Sequence, residues 1–261
     1  MLKLKCPVCG GELNVTEKMA ECALGHRFDR AASGYLNLLL SQNKYTKDPG
    51  DSRDMVLSRR RFLDAGYYAP LRTALVSKVK EISPETLLDA GAGEGYYTSE
   101  FSFMAETIGV DLSKDAVLRA SKRDKQGLYC VSSIFDLPVF DNSIDVITSI
   151  FAPYSSNEFY RVAKRVVAVI PGEKHLFGLK EMLYEKPYLN DEKGYDLPGF
   201  DLVSRDCVDF AINLNSNDEI LDLFSMTPYF WRTPRDAVSK LGTLQKLVTP
   251  ISFRILEYKK R

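Results

Sequence analysis

The chain has 261 residues, Lys plus Arg and Asp plus Glu each number 35, and the formal net charge is zero. Hydrophobic residues make 45 % and charged ones 27 %, an ordinary globular balance that excludes collagen-like and largely disordered classes. No window approaches the roughly 18 apolar residues of a membrane helix, and Met1–Gly10 has no apolar core of a secretory signal, so a cytoplasmic protein is expected. Charge is not evenly spread. Residues 1–61 carry 11 Lys and Arg against 7 Asp and Glu, a local +4 of the sign that suits a polyanion.

Residues 1–37 are turn-rich and hold three of the five cysteines. Cys6, Cys9, Cys22 and His26 follow the spacing C-x2-C-x12-C-x3-H, in which two knuckles can converge on one Zn²⁺. Gly10, Gly11 and Gly25 permit the tight turns. A redox C-x-x-C is the other reading of the first pair, but it calls for a following helix that the pattern lacks. With all four positions filled by protein the metal is structural, and it would supply folding energy that so short a segment cannot draw from a core of its own.

Asp48–Ser52 reads as a turn with Asp51 or Ser52 as N-cap, leading into a helix over 53–64 that Gly66 ends. A second helix is predicted from about Tyr68 to Glu81. Arg59, Arg60 and Arg61 lie on the first helix. By themselves they read as a solvated face, and in a nucleic-acid-binding protein they would meet phosphates.

From Pro84 onward apolar strands alternate with amphipathic segments. Strands are predicted at 87–90, 107–110, 128–132, 146–151 and 166–170, with helices near 95–104, 114–122 and 156–163, which argues for a parallel sheet covered on both faces. Further on, helices are predicted at 216–225 and 235–241, with a closing strand at 251–258. Cys130 and Cys207 read as plain buried thiols.

The first of these strands runs into Asp89-Ala-Gly91-Ala-Gly93-Glu94-Gly95, a D-x-G-x-G-x-G turn whose glycines let backbone approach a ligand closely. It is not the dinucleotide G-x-G-x-x-G, and without Lys followed by Ser or Thr it is not a P-loop. Asp111 ends the next strand, placed to accept from both ribose hydroxyls. Ser132–Pro138, ending the third, is where an adenine would lie. This order resembles a class I S-adenosylmethionine-dependent methyltransferase: α/β, Rossmann-like, with a mostly parallel seven-stranded sheet and here a small N-terminal zinc module.

Further strings, in order along the chain, narrow the resemblance: Gly-His-Arg-Phe-Asp, Gly-Tyr-Leu-Asn-Leu-Leu, Asp-Pro-Gly-Asp-Ser, Arg-Arg-x-Phe-Leu-Asp-Ala-Gly-Tyr-Tyr and Met226–Arg232. Together they resemble the bacterial 23S ribosomal RNA (guanine-N1) methyltransferases, the RNA large-subunit methyltransferase A type, which includes a tylosin-resistance branch. The resemblance implies zinc ligation by Cys6, Cys9, Cys22 and His26. It implies cofactor contacts from Tyr68, Gly93, Glu94 and His175, beside Asp89, Gly91, Gly95 and Asp111 of the loop and its neighbour strand. It also implies 23S rRNA as partner and a homodimer. The domains expected are 1–37 for zinc and RNA recognition, 38–83 as a helical linker contributing to the site, and 84–261 for catalysis.

No residue declares itself as a catalytic base; Asp136 and His175 are the candidates. N1 of a paired guanine is hidden, so a looped or flipped base is required, and Phe151, Tyr154, Phe230 and Trp231 are possible stackers. Phe151–Tyr154 lacks the Asn/Asp-Pro-Pro-aromatic stretch of adenine-N6 enzymes. The competing reading is a small-molecule methyltransferase with a bracing zinc module and a closed apolar pocket near Phe151–Tyr154.

Overall fold

The computed structural model describes residues 2–40, 52–231 and 233–261. The expected turn at 48–51, Asp51 as a cap, and Arg232 lie outside the described residues. The N-terminal segment folds as a four-stranded antiparallel ribbon: β1 (Leu4–Lys5), β2 (Glu12–Val15), β3 (Met19–Cys22) and β4 (Arg27–Asp29). Next, β5 (Leu36–Asn37) leaves the ribbon and pairs in parallel with a strand of the main sheet.

Helices α1 (Arg53–Asp64) and α2 (Ala69–Ile82) follow. Ser52 caps α1, its hydroxyl accepting from the Met55 amide at 3.4 Å. Gly66, at φ 87°, lets the chain reverse after α1. The alternating segment then gives β6 (Thr86–Ala90), α3 (Thr98–Phe101), β7 (Glu106–Asp111), α4 (Lys114–Arg123), β8 (Leu128–Val131), β9 (Ile144–Ile150), α5 (Ser156–Val162) and β10 (Ala163–Pro171). It ends with α6 (Phe177–Leu183), β11 (Phe200–Leu214), α7 (Asn217–Ser225), a 3-10 turn at Pro228–Trp231, α8 (Arg235–Leu241) and β12 (Leu247–Lys260).

The main sheet has the order β11-β12-β10-β9-β6-β7-β8-β5. All its pairings are parallel except those that β12 makes with β10 and β11. Seven strands were expected, and the short β5 adds an eighth at one edge. Order reverses between β6 and β9, so the C-terminal ends of β6, β7 and β9 open on one crevice, where parallel α/β sheets bind ligands.

Two differences from the sequence reading concern the last third. The strand β11 was not expected, because most of its side chains face solvent and no alternating apolar pattern marks it. Cys207 lies on it and is exposed, which corrects the expectation of a buried thiol; Cys130 in β8 is buried as expected.

The ribbon is not a free bead. Lys5 donates its amide to the Pro138 carbonyl at 2.8 Å and Leu4 bridges Val139. Leu4, Cys6, Leu13, Ala20 and Cys22 belong to the same buried cluster as Leu88, Ile108 and Leu137 of the main domain. Among the described residues no helix is long and apolar enough to cross a membrane.

Candidate zinc centre and cofactor site

The ligand atoms of Cys6, Cys9, Cys22 and His26 all lie within 4.8 Å of one another. Each knuckle is a backbone turn. The Gly10 amide donates to Cys6 O at 2.8 Å and the Gly25 amide to Cys22 O at 2.9 Å, with both glycines at positive φ. Cys9 and Cys22 Sγ are 3.6 Å apart, and Cys22 Sγ stands 3.2 Å from His26 Nδ1. A Zn–S bond of about 2.3 Å places tetrahedral sulfurs at about 3.8 Å, so the set fits a zinc ion. Burial raises the Cys22 thiol, but the backbone amides of His26 and Leu24 outweigh it and bring it down to about 6, favouring the thiolate a metal requires. All five cysteines are free of disulfides.

The second site is built at the ends of β6, β7 and β9. Asp89, the last but one residue of β6, is buried, and both its oxygens are used inside the protein. Thr98 Oγ1 donates to Oδ2 at 2.5 Å and Thr148 Oγ1 to Oδ1 at 2.7 Å. It thereby ties α3 and β9 to the glycine turn. Burial outweighs these bonds and pushes its carboxyl up to about 6. The sequence reading missed both threonines, since neither spacing nor type marks a hydroxyl as a carboxylate partner.

Gly91, Gly93 and Gly95 all have positive φ, at 85°, 55° and 82°. At Gly91 an added Cβ would meet the Ala152 Cβ at 2.5 Å, whereas at Gly93 it would meet nothing within 4 Å. The first glycine thus serves close packing against the loop after β9, and the second leaves open space beside the backbone. Asp111, at the end of β7, holds this turn: the Gly93 amide donates to its Oδ2 at 2.9 Å and the Ser113 amide to its Oδ1 at 2.8 Å. Tyr97 OH, fully buried beside the turn, has no hydrogen-bond partner in the protein. An open glycine cradle, an anchored acid and an orphaned hydroxyl fit S-adenosylmethionine.

Three rings stand across the crevice. Tyr68, Phe151 and His175 lie 6.3–6.4 Å from one another, and each is 4.8–5.2 Å from Phe253 of β12. Phe151 and His175 are parallel to within 10°. Phe151 follows β9 at φ 54°, a left-handed conformation costly for a bulky side chain, and remains 43 % exposed. Phe151 is thus an accessible ring, not one sealed in the closed apolar pocket that the small-molecule reading requires.

His175 is buried, not the solvated loop histidine its place after Pro171-Gly172 suggests. Burial drops its pKa to about 3, with the nearby Lys180 charge acting the same way. Its Nδ1 accepts from the Ser252 amide at 3.3 Å, so the neutral ring carries its proton on Nε2. Lys180 is buried as well, donating to Tyr188 O at 2.9 Å and Asn190 Oδ1 at 2.6 Å beneath the Tyr188 ring. Asn190 in turn donates to Gly172 O and His175 O at 2.9 and 3.1 Å. Lys180 and Asn190 thus fix the turn that carries His175; the sequence reading placed Lys180 in one segment with His175 but gave it no role, and it did not single out Asn190.

Asp136 is exposed in the turn after β8. The arginine triplet divides. Arg61 forms a forked pair with Asp222, its Nε donating to Oδ2 at 2.8 Å and its Nη2 to Oδ1, and so braces α1 against α7. Arg60 pairs with Asp64 at 3.3 Å.

A family model described as "RlmA, N-terminal", a zinc ribbon, matches residues 4–47, and one described as "Methyltransferase domain" matches residues 88–175. The chain is 29 % identical to a 23S rRNA (guanine(748)-N(1))-methyltransferase of Streptomyces fradiae, over 97 % of this chain and 95 % of that one. It is 28 % identical, with the same coverage, to a putative 23S rRNA (guanine-N(1)-)-methyltransferase of Bacillus subtilis strain 168. Among solved structures, the YcgJ protein of Bacillus subtilis matches with a TM-score of 0.50 at 17 % identity, covering 73 % of this chain and 97 % of that one, a likeness of fold. From ribbon to closing strand the chain is similar to 23S rRNA (guanine-N1) methyltransferases.

Proposed function

We propose that the protein methylates N1 of a guanine in a hairpin loop of 23S rRNA. The observation that carries this reading is the union, in one chain similar to such enzymes over 97 % of its length, of a Cys3His cluster with an open glycine cradle. In the ribbon, Cys6, Cys9, Cys22 and His26 hold a structural zinc ion. At the crevice Gly93, Glu94 and Gly95 cradle the cofactor, with Gly91 and Asp89 supporting the turn from beneath. Asp111 accepts from the ribose, and Tyr68 and His175 close the opposite side. S-adenosylmethionine, when bound, supplies an electrophilic sulfonium methyl.

The chain's own part is alignment and exclusion of water. The exposed face of Phe151 offers a platform on which an unpaired guanine stacks, bringing its Watson–Crick edge to the crevice. Guanine N1 must lose its proton. His175 is poorly suited to take it, being neutral by burial with Nδ1 engaged, and its Nε2–H acts as a donor. Asp136, exposed in the turn after β8, is the other candidate for the proton.

Arg59 and Arg60 of α1, with the ribbon, meet phosphates, while Arg61 is committed to Asp222. A homodimer would place two ribbons around one RNA. Substrate and partner make the protein cytoplasmic. Methylation in a drug-binding region of the ribosome would alter macrolide susceptibility. The test is methyl transfer from labelled S-adenosylmethionine to unmodified 23S rRNA, followed by nucleoside analysis. Label in 1-methylguanosine is expected; label in another nucleoside, or none, overturns the assignment.

A further inference from the structure

Glu94 sits in the middle of the glycine turn with its side chain only 1 % exposed, and neither of its oxygens has a hydrogen-bond partner of good geometry. A buried carboxylate in that condition needs a cation to remain charged. That cation comes from the far end of α4. Arg123 Nη2 lies 2.6 Å from Glu94 Oε2, and the same nitrogen lies 2.7 Å from Asp64 Oδ1 on α1. The other Asp64 oxygen meets Arg60. One guanidinium is therefore shared between the glycine turn and the helix that carries the arginine triplet.

The charged and titratable groups around Glu94 are Arg123 from α4, Asp64 and Arg60 from α1, and Tyr96 of its own turn, over which Arg72 of α2 stands at 4.7 Å. Burial pushes the Glu94 carboxyl up, Arg123 pulls it down and Asp64 pushes it up again, leaving it at about 7.

We propose that Arg123 is a positioning residue whose bridge from Asp64 to Glu94 clamps the glycine turn in its cofactor-receiving form. This deepens, and rests on, the reading of that turn as the S-adenosylmethionine site. When Glu94 is protonated the bridge loses its charge partner and the turn loosens. Cofactor affinity then falls as pH drops through neutrality. Opposite neighbours act in opposite directions. Removing Arg123 makes Glu94 harder to ionise, and removing the Asp64 charge makes it easier.

The test is calorimetric binding of S-adenosylmethionine to the full-length zinc-loaded protein, from about pH 6 to about pH 8.5. Wild type is expected to weaken toward acid with a midpoint near neutrality. Glu94→Gln should lose that step and keep only the ligand's own titration. Arg123→Met should move the step to higher pH and weaken binding at neutral pH about tenfold, the effect of roughly one pKa unit. Arg123→Lys should recover most of it. Asp64→Asn should move the step to lower pH. If Arg123→Met and Asp64→Asn shift it the same way, or if the step survives in Glu94→Gln, the clamp is wrong. Asp64→Asn and Arg123→Lys keep the test open should Arg123→Met fail to fold. If wild type binds no S-adenosylmethionine at any pH, the cofactor reading falls and the clamp with it.

Discussion

In the ribbon, four ligand atoms gather within 4.8 Å of one another, as a metal ion requires, whereas at the glycine turn the carboxylates Asp89 and Asp111 find partners inside the protein. The ribbon has short strands of two to four residues and few buried side chains of its own. The glycine turn hangs from β6 and β7, which are buried on both faces of a long sheet. Yet the ribbon's inner residues, Leu4, Leu13 and Ala20, join the sheet's own apolar cluster. The metal therefore sets the ribbon's loop geometry while the sheet supplies part of its core. Its folding energy is not the metal's alone, as so short a segment taken by itself suggests.

The largest effect is expected from removing zinc. Chelation, or Cys22→Ser, should strip hydrogen-exchange protection from β1–β4 and abolish RNA methylation. Protection in β6–β10 should survive, with S-adenosylmethionine affinity within about threefold of wild type. Loss of protection throughout the sheet would mean that the shared core, not the metal, dominates. Next in size is Gly91→Ala. The new Cβ would meet the Ala152 Cβ at 2.5 Å from a backbone at φ 85°, and something must shift. A stability cost of about 1–3 kcal/mol is expected, with cofactor affinity down at least about tenfold in calorimetry and zinc content unchanged by metal analysis.

A smaller effect follows from Asp89. Burial lifts its folded pKa to about 6, above the ordinary carboxylate value, so between those values the native state takes up a proton the unfolded chain does not. Stability without cofactor should therefore rise as pH falls from above 6 toward 4, by a few degrees in Tm. Asp89→Asn should flatten that slope. A protein that loses stability steadily over the same window would refute it. The smallest effects belong to α1. Arg59→Gln and Arg60→Gln should each weaken RNA binding a few-fold and lower the salt slope by about 1. Arg61→Gln should instead lower Tm, because it loses the Asp222 fork.

Much of the catalytic half was legible because its signals are local. Strand–helix alternation set β6 to β10 within a few residues, and a glycine turn announces itself by residue type. The zinc spacing is legible for the same reason, since each knuckle closes within a few bonds of its own cysteines. Around the candidate site the gaps are of another kind. Thr98 of α3 and Thr148 of β9 converge on Asp89 from 9 and 59 residues away, and Lys180 and Asn190 together hold the turn that carries His175.

Taken alone, the sequence determined the elements from α1 to β10, the glycine turn and the metal-ligand spacing, because these depend on short-range backbone geometry and side-chain chemistry. Tertiary structure decided the rest. It moved Leu36–Asn37 onto the edge of the main sheet, drew out the solvent-facing β11, buried and neutralised His175, and turned Phe151 outward in a left-handed conformation. It also put one arginine between Asp64 and Glu94, thirty residues apart in the chain. Each of these outcomes depends on desolvation and on partners distant in sequence, and neither can be read from a residue's neighbours along the chain.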